Sequence, residues 1–238
     1  MKILGLQKLT LLDYPGRVAC TVFLGGCNFR CPYCHNSELL DGTAEPLMDD
    51  TALLAFLETR RGILDGVCIT GGEPTLQPQL PQLPQLLRSI KAMGYPVKLD
   101  TNGYRPDVLK ALVEEGLVDY VAMDVKNGPE RYAETVGLAQ IDLERIEESL
   151  RYLIGGAVDY ELRTTVVREF HDAESVARMG QWIGSVVSGK KPAKLYLQSF
   201  VDRDSVAFSG LNPPLSGEMA RYAELLSPFC EQVSIRGE

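Results

Sequence analysis

Three cysteines on one short loop are the residues of this chain best suited to hold a metal cofactor. Cys27, Cys31 and Cys34 lie in a glycine-rich stretch, with three residues between the first two and two between the last two. Closely spaced thiolates are ligands of iron–sulfur clusters and of zinc. A structural zinc site needs four closed ligands, and the nearest further candidate, His35, directly follows Cys34. The spacing therefore favours a [4Fe–4S] cluster that keeps one iron open.

A second set of candidate residues is associated with predicted β-strands. In barrels of parallel strands, the residues that carry chemistry collect at the carboxyl ends of the strands. The string Gly71-Gly72-Glu73 ends one predicted strand. Its glycines allow the backbone to approach a ligand closely, and its carboxylate can accept a hydrogen bond from a ligand ammonium group. The other candidates lie within or at the ends of four later strands: Asp100, Thr101, Asp124, Lys126, Arg163 and Gln198.

Charge and strand geometry indicate what these side chains could bind. Asp124 and Lys126 are two residues apart, so a strand would place them on one face. Charges that face the inside of a barrel need a partner, and a zwitterionic ligand supplies both signs, with Lys126 at its carboxylate. Simpler roles also fit: the glycines form a turn, the acids cap helices or make surface ion pairs, and Arg163 pairs with Glu161. Gln198 either binds an adenine or ribose or simply ends its strand.

Strands alternate with helices along the whole chain. We predict strands at 18–24, 66–70, 97–100, 120–126, 160–167 and 194–198, an edge strand at 233–235, helices at 49–61, 86–93, 107–115, 143–154, 173–187 and 216–226, and a proline-rich connection at 78–84. This alternation predicts βαβ units on a parallel sheet. Eight units usually need about 250 residues, so we predict an α/β fold of the open, partial (β/α)6 TIM-like barrel type, as one domain over residues 1–238. His171 lies before a helix, where a surface or capping role fits as well as a ligand contact.

Composition excludes several classes of protein. The net charge of −8 argues against a general nucleic-acid-binding protein. The chain has neither an apolar run of roughly 20 residues, as a membrane span needs, nor a signal peptide. We therefore expect no nucleic-acid or membrane partner and a cytoplasmic location. Clustered cysteines fit a reducing compartment, and Cys20, Cys68 and Cys230 are predicted to be buried apolar residues.

The motif Cys27-x-x-x-Cys31-x-Tyr33-Cys34 resembles the signature of the radical S-adenosylmethionine (radical SAM) enzymes. The resemblance implies a radical SAM core in which the open iron of the [4Fe–4S] cluster binds the methionine moiety of S-adenosylmethionine, whose cleavage gives methionine and a 5′-deoxyadenosyl radical. It implies that the cysteines act as catalytic cluster ligands and that Tyr33 lies near the adenine. Gly71-Gly72-Glu73 is similar to the motif that holds the methionine amino group.

A wider string, from Asp13-Tyr14-Pro15-Gly16 to Cys34-His35-Asn36, resembles one branch of this family, the activases of glycyl radical enzymes. Within that branch it is most similar to the activating proteins of anaerobic ribonucleoside-triphosphate reductase. The resemblance implies a glycyl radical enzyme as protein substrate and a flavodoxin or ferredoxin as electron donor. It also implies that Arg163 faces the ligand carboxylate or ribose, and that Asp100, Thr101 and Asp124 are ligands of a monovalent cation, Na⁺ or K⁺.

Three alternatives remain open at this point. The motifs do not distinguish ribonucleotide reductase from pyruvate formate-lyase or another glycyl radical enzyme as the partner. A small-molecule radical SAM enzyme, such as a purine-analogue synthase, can be equally short. A non-enzymatic module that binds zinc or a cluster is a third reading. We favour an activase chiefly because of this resemblance, and the chain also shows no second cysteine cluster and no added domain that could form a lid over a small substrate.

Overall fold

Parallel strands connected by helices form most of the protein in a computed structural model that describes residues 1–41, 43–76, 82–187 and 189–237. The strands are β1 (Lys2–Thr10), β2 (Ala19–Leu24), β3 (Met48–Asp49), β4 (Gly66–Gly71), β5 (Val97–Thr101), β6 (Tyr120–Asp124), β7 (Asp159–Val166), β8 (Leu195–Ser199) and β9 (Val233–Arg236). The helices are α1 (Asp50–Glu58), α2 (Gln82–Ala92), α3 (Pro106–Glu114), α4 (Pro129–Thr135), α5 (Leu143–Ile154), α6 (Ala173–Val186) and α7 (Glu218–Leu226). Residues 78–81 of the predicted proline-rich connection lie outside the described residues.

The order of the strands identifies the fold class. The sheet runs β3-β1-β2-β4-β5-β6-β7-β8-β9, so β3 and β9 are its two ends and the sheet is open. β2 pairs with β4, β4 with β5, β7 with β8, and β8 with β9, all in parallel. Only β1 is antiparallel to its neighbours β2 and β3 among the described pairings. The predicted α/β fold with an open, partial (β/α)6 barrel is confirmed.

The six predicted strands correspond to β2, β4, β5, β6, β7 and β8, and the predicted edge strand to β9. β1, β3 and α4 were not predicted. The sequence of β1 mixes lysines and a glycine with apolar residues, and its pairing with β2 is irregular at two places. α4 has only seven residues, too few to show a helical period, although Pro129 at its start is a helix signal. The fourth strand was predicted to reach Lys126, but β6 ends at Asp124.

The described residues group into two compact units. The first unit consists of Met1–Asn28, Glu38–Thr101 and Asp107–Ala122. β2, β4 and β5 give it a core of fully buried aliphatic side chains, which include Val22, Ile69 and Leu99. Near-continuous apolar runs such as these are typical of strands that are covered on both faces. Cys20 and Cys68 are buried in this unit, as predicted.

The second unit consists of Phe29–Ser37, Asn102–Pro106 and Met123–Glu238. α6 begins with a capping box between Asp172 and Ser175, which satisfies backbone groups at its start. Trp182 on α6 is buried, and its Nε1 donates a hydrogen bond to Glu147 at 2.9 Å. Cys230 is buried as predicted. The prediction of a single domain over residues 1–238 stays a prediction.

A search of the described helices for a membrane span, by length and hydropathy, finds none.

Candidate active site

In the first unit, the glycine pair after β4 packs against the backbone at the end of β2. Gly72 N donates to Leu24 O at 2.9 Å, and Glu73 N donates to Gly26 O at 2.8 Å. A Cβ atom at position 71 would lie 2.1 Å from Leu24 O, and one at position 72 would lie 2.1 Å from Gly26 O. Gly71 also has φ +125°, a value that side chains other than glycine rarely adopt. Glycine is therefore required here so that this turn can lie against the start of the cysteine loop.

The turn fixes the carboxylate of Glu73. The Glu73 side chain is only 1% exposed, and its Oε1 accepts hydrogen bonds from Thr75 N at 3.0 Å and Thr75 Oγ1 at 2.6 Å. A third donor is Thr101 Oγ1 on β5, at 2.8 Å. The structure thus brings two predicted site residues, Glu73 and Thr101, into direct contact. A buried carboxylate held by three donors has a fixed orientation, as a ligand for an ammonium group requires.

Asp100 on β5 is paired with a lysine that sequence reasoning missed. The Lys98 Nζ forms an ion pair with Asp100 Oδ1, and the Lys98 side chain is 1% exposed. Both residues lie beside Cys68, whose Sγ is 3.9 Å from Lys98 Nζ and 3.7 Å from Asp100 Oδ1. The signal was present in the sequence, because residues two apart in a strand share a face.

In the second unit, two of the three cysteines form a tight turn. Cys34 N donates to Cys31 O at 3.1 Å, and both thiols are half-buried and free of disulfides. Burial raises the pKa of the Cys31 thiol to about 11, although the nearby Lys126 ammonium opposes this shift. Burial also raises the pKa of Cys34. Since metals bind thiolates, a metal that binds here has to displace the thiol protons.

The aromatic ring of Tyr33 lies in an apolar cluster. It packs with Val167, Phe170 and Phe200, and its hydroxyl is buried with no hydrogen-bond partner among the described residues. Burial raises the pKa of Tyr33 well above its ordinary value. The predicted contact of Tyr33 with an adenine stays a prediction.

Three further predicted residues form one charged group in the second unit. Lys126 Nζ donates to Asp124 Oδ2 at 2.9 Å, and Arg163 Nε donates to Asp124 Oδ1 at 2.9 Å. Burial by itself would raise the pKa of Asp124, but the charges of Arg163 and Lys126 outweigh it and lower the pKa to about 2. Asp124 in turn raises the pKa of Lys126 well above its ordinary value, against the effect of burial. The group therefore stays fully charged at neutral pH.

Glu161, which was considered as a partner for Arg163, forms an ion pair with Arg236. Glu161 forms a two-pronged ion pair with Arg236, with distances of 3.0 and 2.9 Å, whereas Arg163 contacts Asp124. Gln198 lies on β8, half-buried, in register with Thr165 of β7. Its predicted contact with adenine or ribose stays a prediction.

Both histidines hold backbone segments in place. His171, for which a surface role was one alternative, is 1% exposed, so that alternative is wrong. Its Nε2 lies 2.8 Å from Lys126 O. His35 stacks on Phe200 with a ring distance of 5.5 Å, and its Nε2 lies 2.7 Å from Val201 O. His35 thus ties the cysteine loop to the segment after β8.

The comparison with protein families decides the identity of this site. The profile of the Radical SAM superfamily matches residues 21–178, which include the three cysteines and the polar residues up to Arg163. The chain belongs to the radical SAM superfamily. It is therefore an enzyme of the type that uses a [4Fe–4S] cluster and S-adenosylmethionine.

Two curated relatives of this radical SAM chain match almost its whole length. The first, MJ1227 of Methanocaldococcus jannaschii, has a name that proposes a glycyl-radical enzyme activating function; it is 32% identical over 98% of this chain and 94% of its own length. The second is the pyruvate formate-lyase 1-activating enzyme of Escherichia coli K12, which is 28% identical over 98% of this chain and 97% of its own length.

A solved structure shows the same fold. SuiB of Streptococcus suis, in a crystal structure with its precursor peptide SuiA, superposes with a TM-score of 0.66 at 12% identity and covers 91% of this chain. This chain spans about half of SuiB, 48% of its length. A crystal structure of SuiB with bound S-adenosylmethionine superposes similarly, with a TM-score of 0.65 at 10% identity.

The cysteine loop fits the cofactor of the radical SAM family. No group of three or more His, Cys, Asp or Glu side chains within the described ranges is gathered around a single point, as one metal ion would require. A [4Fe–4S] cluster makes a different demand, because each cysteine binds a different iron and the ligands lie farther apart. Cys27, Cys31 and Cys34 supply three half-buried thiols within eight residues of sequence, none of them in a disulfide, and this set of donors is of the kind that a cluster uses.

The described residues do not fit the predicted Na⁺ or K⁺ ion. Asp100 is already paired with Lys98, and Asp124 with Lys126 and Arg163. The charges at two of the three predicted ligands therefore oppose a further cation.

Proposed function

We propose that this chain is an activating enzyme that introduces a glycyl radical into a partner protein. The partner proposed first is anaerobic ribonucleoside-triphosphate reductase, and pyruvate formate-lyase or another glycyl radical enzyme is the alternative. The observation that carries the proposal is the similarity to MJ1227, which extends over 98% of this chain and 94% of that protein. The similarity to the pyruvate formate-lyase 1-activating enzyme, over 97% of its length, supports the same activity.

When bound and reduced by one electron from the donor, the cluster would cleave S-adenosylmethionine to methionine and a 5′-deoxyadenosyl radical, and transfer of a hydrogen atom from a glycine Cα of the partner would give 5′-deoxyadenosine and a glycyl radical. The proposed role of the chain's own residues is to bind and orient S-adenosylmethionine. From the family resemblance we propose that Glu73 accepts hydrogen bonds from the ammonium group of the methionine moiety, and that Lys126 and Arg163 bind its carboxylate. Asp124 keeps these two cations in place, since it already contacts both at 2.9 Å. Glu73 is fixed by donors from Thr75 and Thr101, so little ordering is needed when the ligand binds.

We also propose a cellular compartment, an electron donor and a domain organisation for this enzyme. Three cysteines clustered on one loop fit a reducing compartment, so we propose that the enzyme is cytoplasmic. A flavodoxin or ferredoxin is the proposed electron donor, and residues 1–238 are proposed to act as one core domain. An assay with reduced flavodoxin or ferredoxin in place of a chemical reductant tests the donor: S-adenosylmethionine cleavage should proceed with one of them and stop when it is omitted.

The decisive experiment is anaerobic. The cluster is reconstituted, S-adenosylmethionine and reductant are added, and 5′-deoxyadenosine is measured with and without each candidate glycyl radical enzyme. Electron paramagnetic resonance on the same samples detects the doublet of a glycyl radical on the partner. We expect a doublet with one partner, and its loss when the target glycine of that partner is replaced by alanine.

Two controls separate the alternatives. Cys31→Ser should lose the brown absorbance of the cluster and all cleavage, whereas a zinc site would give a colourless wild-type protein. Cleavage of S-adenosylmethionine without a doublet on any glycyl radical enzyme, but with turnover of a small molecule, would overturn the activase proposal and leave the family assignment intact.

A further inference from the structure

The feature that departs most from the expected site is the buried ion pair on β5. Lys98 and Asp100 are two residues apart in the strand, so their side chains share one face. The Lys98 ammonium contacts Asp100 Oδ1, with exposed fractions of 1% for Lys98 and 15% for Asp100. An ammonium group this deeply buried needs a carboxylate partner, and Asp100 provides it.

The position of Lys98 conflicts with a metal cation at the same carboxylate. The family resemblance makes Asp100 a ligand of Na⁺ or K⁺, and such an ion would lie close to the buried ammonium. The metal cation and the Lys98 ammonium would repel each other strongly, because both would contact the same carboxylate and little water would screen their charges. The lysine also cannot turn out to solvent without leaving the side chains that bury it, among them Cys68 at 3.9 Å from its Nζ.

The other two predicted cation ligands are engaged in a comparable way, each inside its own unit. Thr101 donates its hydroxyl to Glu73 at 2.8 Å. Asp124 accepts hydrogen bonds from Lys126 and Arg163, both at 2.9 Å. Asp100 and Asp124 thus each have a counter-ion that the chain itself supplies.

We propose that the Lys98 ammonium is a built-in replacement for the monovalent cation at Asp100. The protein then folds and binds S-adenosylmethionine without Na⁺ or K⁺. This inference goes beyond the proposed function and does not depend on which partner, if any, receives a glycyl radical.

The test compares salts at equal ionic strength. The cluster-loaded full chain is kept anaerobic in potassium, sodium or tetramethylammonium chloride, the last being too large for a cation site. The dissociation constant of S-adenosylmethionine is measured by equilibrium dialysis, and the thermal midpoint by circular dichroism. For the wild type we expect the same dissociation constant, within about twofold, and the same midpoint in all three salts, because no ion has to be taken up. Tighter binding by about tenfold in potassium or sodium, relative to tetramethylammonium, would overturn the proposal.

Lys98→Met tests the same idea by rescue. This variant leaves Asp100 without its ammonium, so in tetramethylammonium we expect a lower midpoint and binding weaker by about tenfold. Potassium or sodium should restore most of both losses by taking the vacated place. A variant that binds equally well in all three salts would contradict the proposal. If Lys98→Met does not fold, the wild-type series still decides.

Two matched variants show whether the rescue is specific. Lys98→Met combined with Asp100→Asn removes both charges, so its midpoint should not respond to potassium or sodium. Lys91→Met breaks another lysine–aspartate pair of the first unit, with Asp119, which is far more exposed. Its midpoint should likewise be the same in all three salts, and a cation response in either variant would count against a role specific to Asp100.

Discussion

His171 Nε2 donates a hydrogen bond to the backbone oxygen of Lys126 at 2.8 Å, from a side chain that is 1% exposed. On the other side of the ring, Nδ1 lies 3.1 Å from Val167 N, whose N–H it accepts when the imidazole is neutral. Burial lowers the pKa of His171, which favours this neutral form. His171 therefore links Val167, which follows β7, to Lys126, which follows β6. The ammonium group of Lys126 is the one proposed to bind the carboxylate of the ligand. His171 is a positioning residue, since it acts through Lys126.

The first prediction concerns the replacement of this contact. His171→Phe leaves the Lys126 oxygen without its buried donor, so the segment that carries Lys126 is held less firmly. We expect S-adenosylmethionine to bind about tenfold more weakly, corresponding to the roughly 1–3 kcal/mol of an unsatisfied buried group. Equilibrium dialysis on the cluster-loaded protein measures this effect.

Two control variants distinguish positioning from general damage. His171→Gln retains a side-chain donor and should recover part of the affinity. Tyr222→Phe removes a different hydrogen bond, from the Tyr222 hydroxyl to His171 O at 3.3 Å, and should leave the affinity unchanged. Equal losses of affinity in all three variants would contradict a specific role for the Nε2 contact.

The second prediction is the pH dependence of stability. The pKa of His171 in the folded protein lies below its ordinary value of 6.5, because burial disfavours the charged ring. The unfolded chain therefore takes up the proton first as the pH falls, and the stability that neutral His171 provides is lost below about pH 6.5. The slope from one group is at most about 1.4 kcal/mol per pH unit. Urea unfolding at pH 7.5 and 5.5 should show a larger acid loss in the wild type than in His171→Phe; equal losses would show that His171 does not cause it.

Much of the fold could be predicted because its strands are buried on both faces. β2, β4 and β5 appear in the sequence as short apolar runs that end at glycines or polar residues. β1 could not be found in this way, since its partly exposed, irregular pairing leaves a mixed pattern. The length of α4, seven residues, likewise gives no periodic signal.

Some features of the candidate site could likewise be predicted from the sequence, and others could not. Asp124 and Lys126 were placed on one face of a strand from their spacing; their side chains are in contact at 2.9 Å, although β6 ends at Asp124. Lys98 was overlooked because a lysine inside a strand is normally taken for a solvent-facing residue, although its spacing from Asp100 was the same. The contact of His171 with Lys126 joins residues 45 positions apart in the chain, and no local pattern predicts such a contact.

The third prediction concerns the turn after β4. Gly71→Ala would place a Cβ atom 2.1 Å from Leu24 O, at a backbone angle of φ +125°. The turn then has to move away from the start of the cysteine loop, which should cost on the order of 2–4 kcal/mol and reduce cluster incorporation. Gly94→Ala is the matched control, because Gly94 also has a positive φ, +88°, but nothing lies within 4 Å of its added Cβ. Thermal unfolding and the iron content after reconstitution measure both effects, and equal losses in the two variants would show that backbone angle alone matters.

The fourth prediction concerns the buried hydroxyl of Tyr33. This group has no hydrogen-bond partner among the described residues, and its ring packs in an apolar cluster with Phe170 and Phe200. Because an unsatisfied buried hydroxyl is unfavourable, Tyr33→Phe should stabilise the cluster-free protein by about 1 kcal/mol. Trp182 is the comparison, because its polar group has a partner: Nε1 donates to Glu147 at 2.9 Å. Trp182→Phe should therefore destabilise the cluster-free protein. Urea unfolding of the two variants measures the signs. A loss of stability in Tyr33→Phe would contradict this prediction, because it would mean that the Tyr33 hydroxyl makes a hydrogen bond in solution, for example to a water molecule.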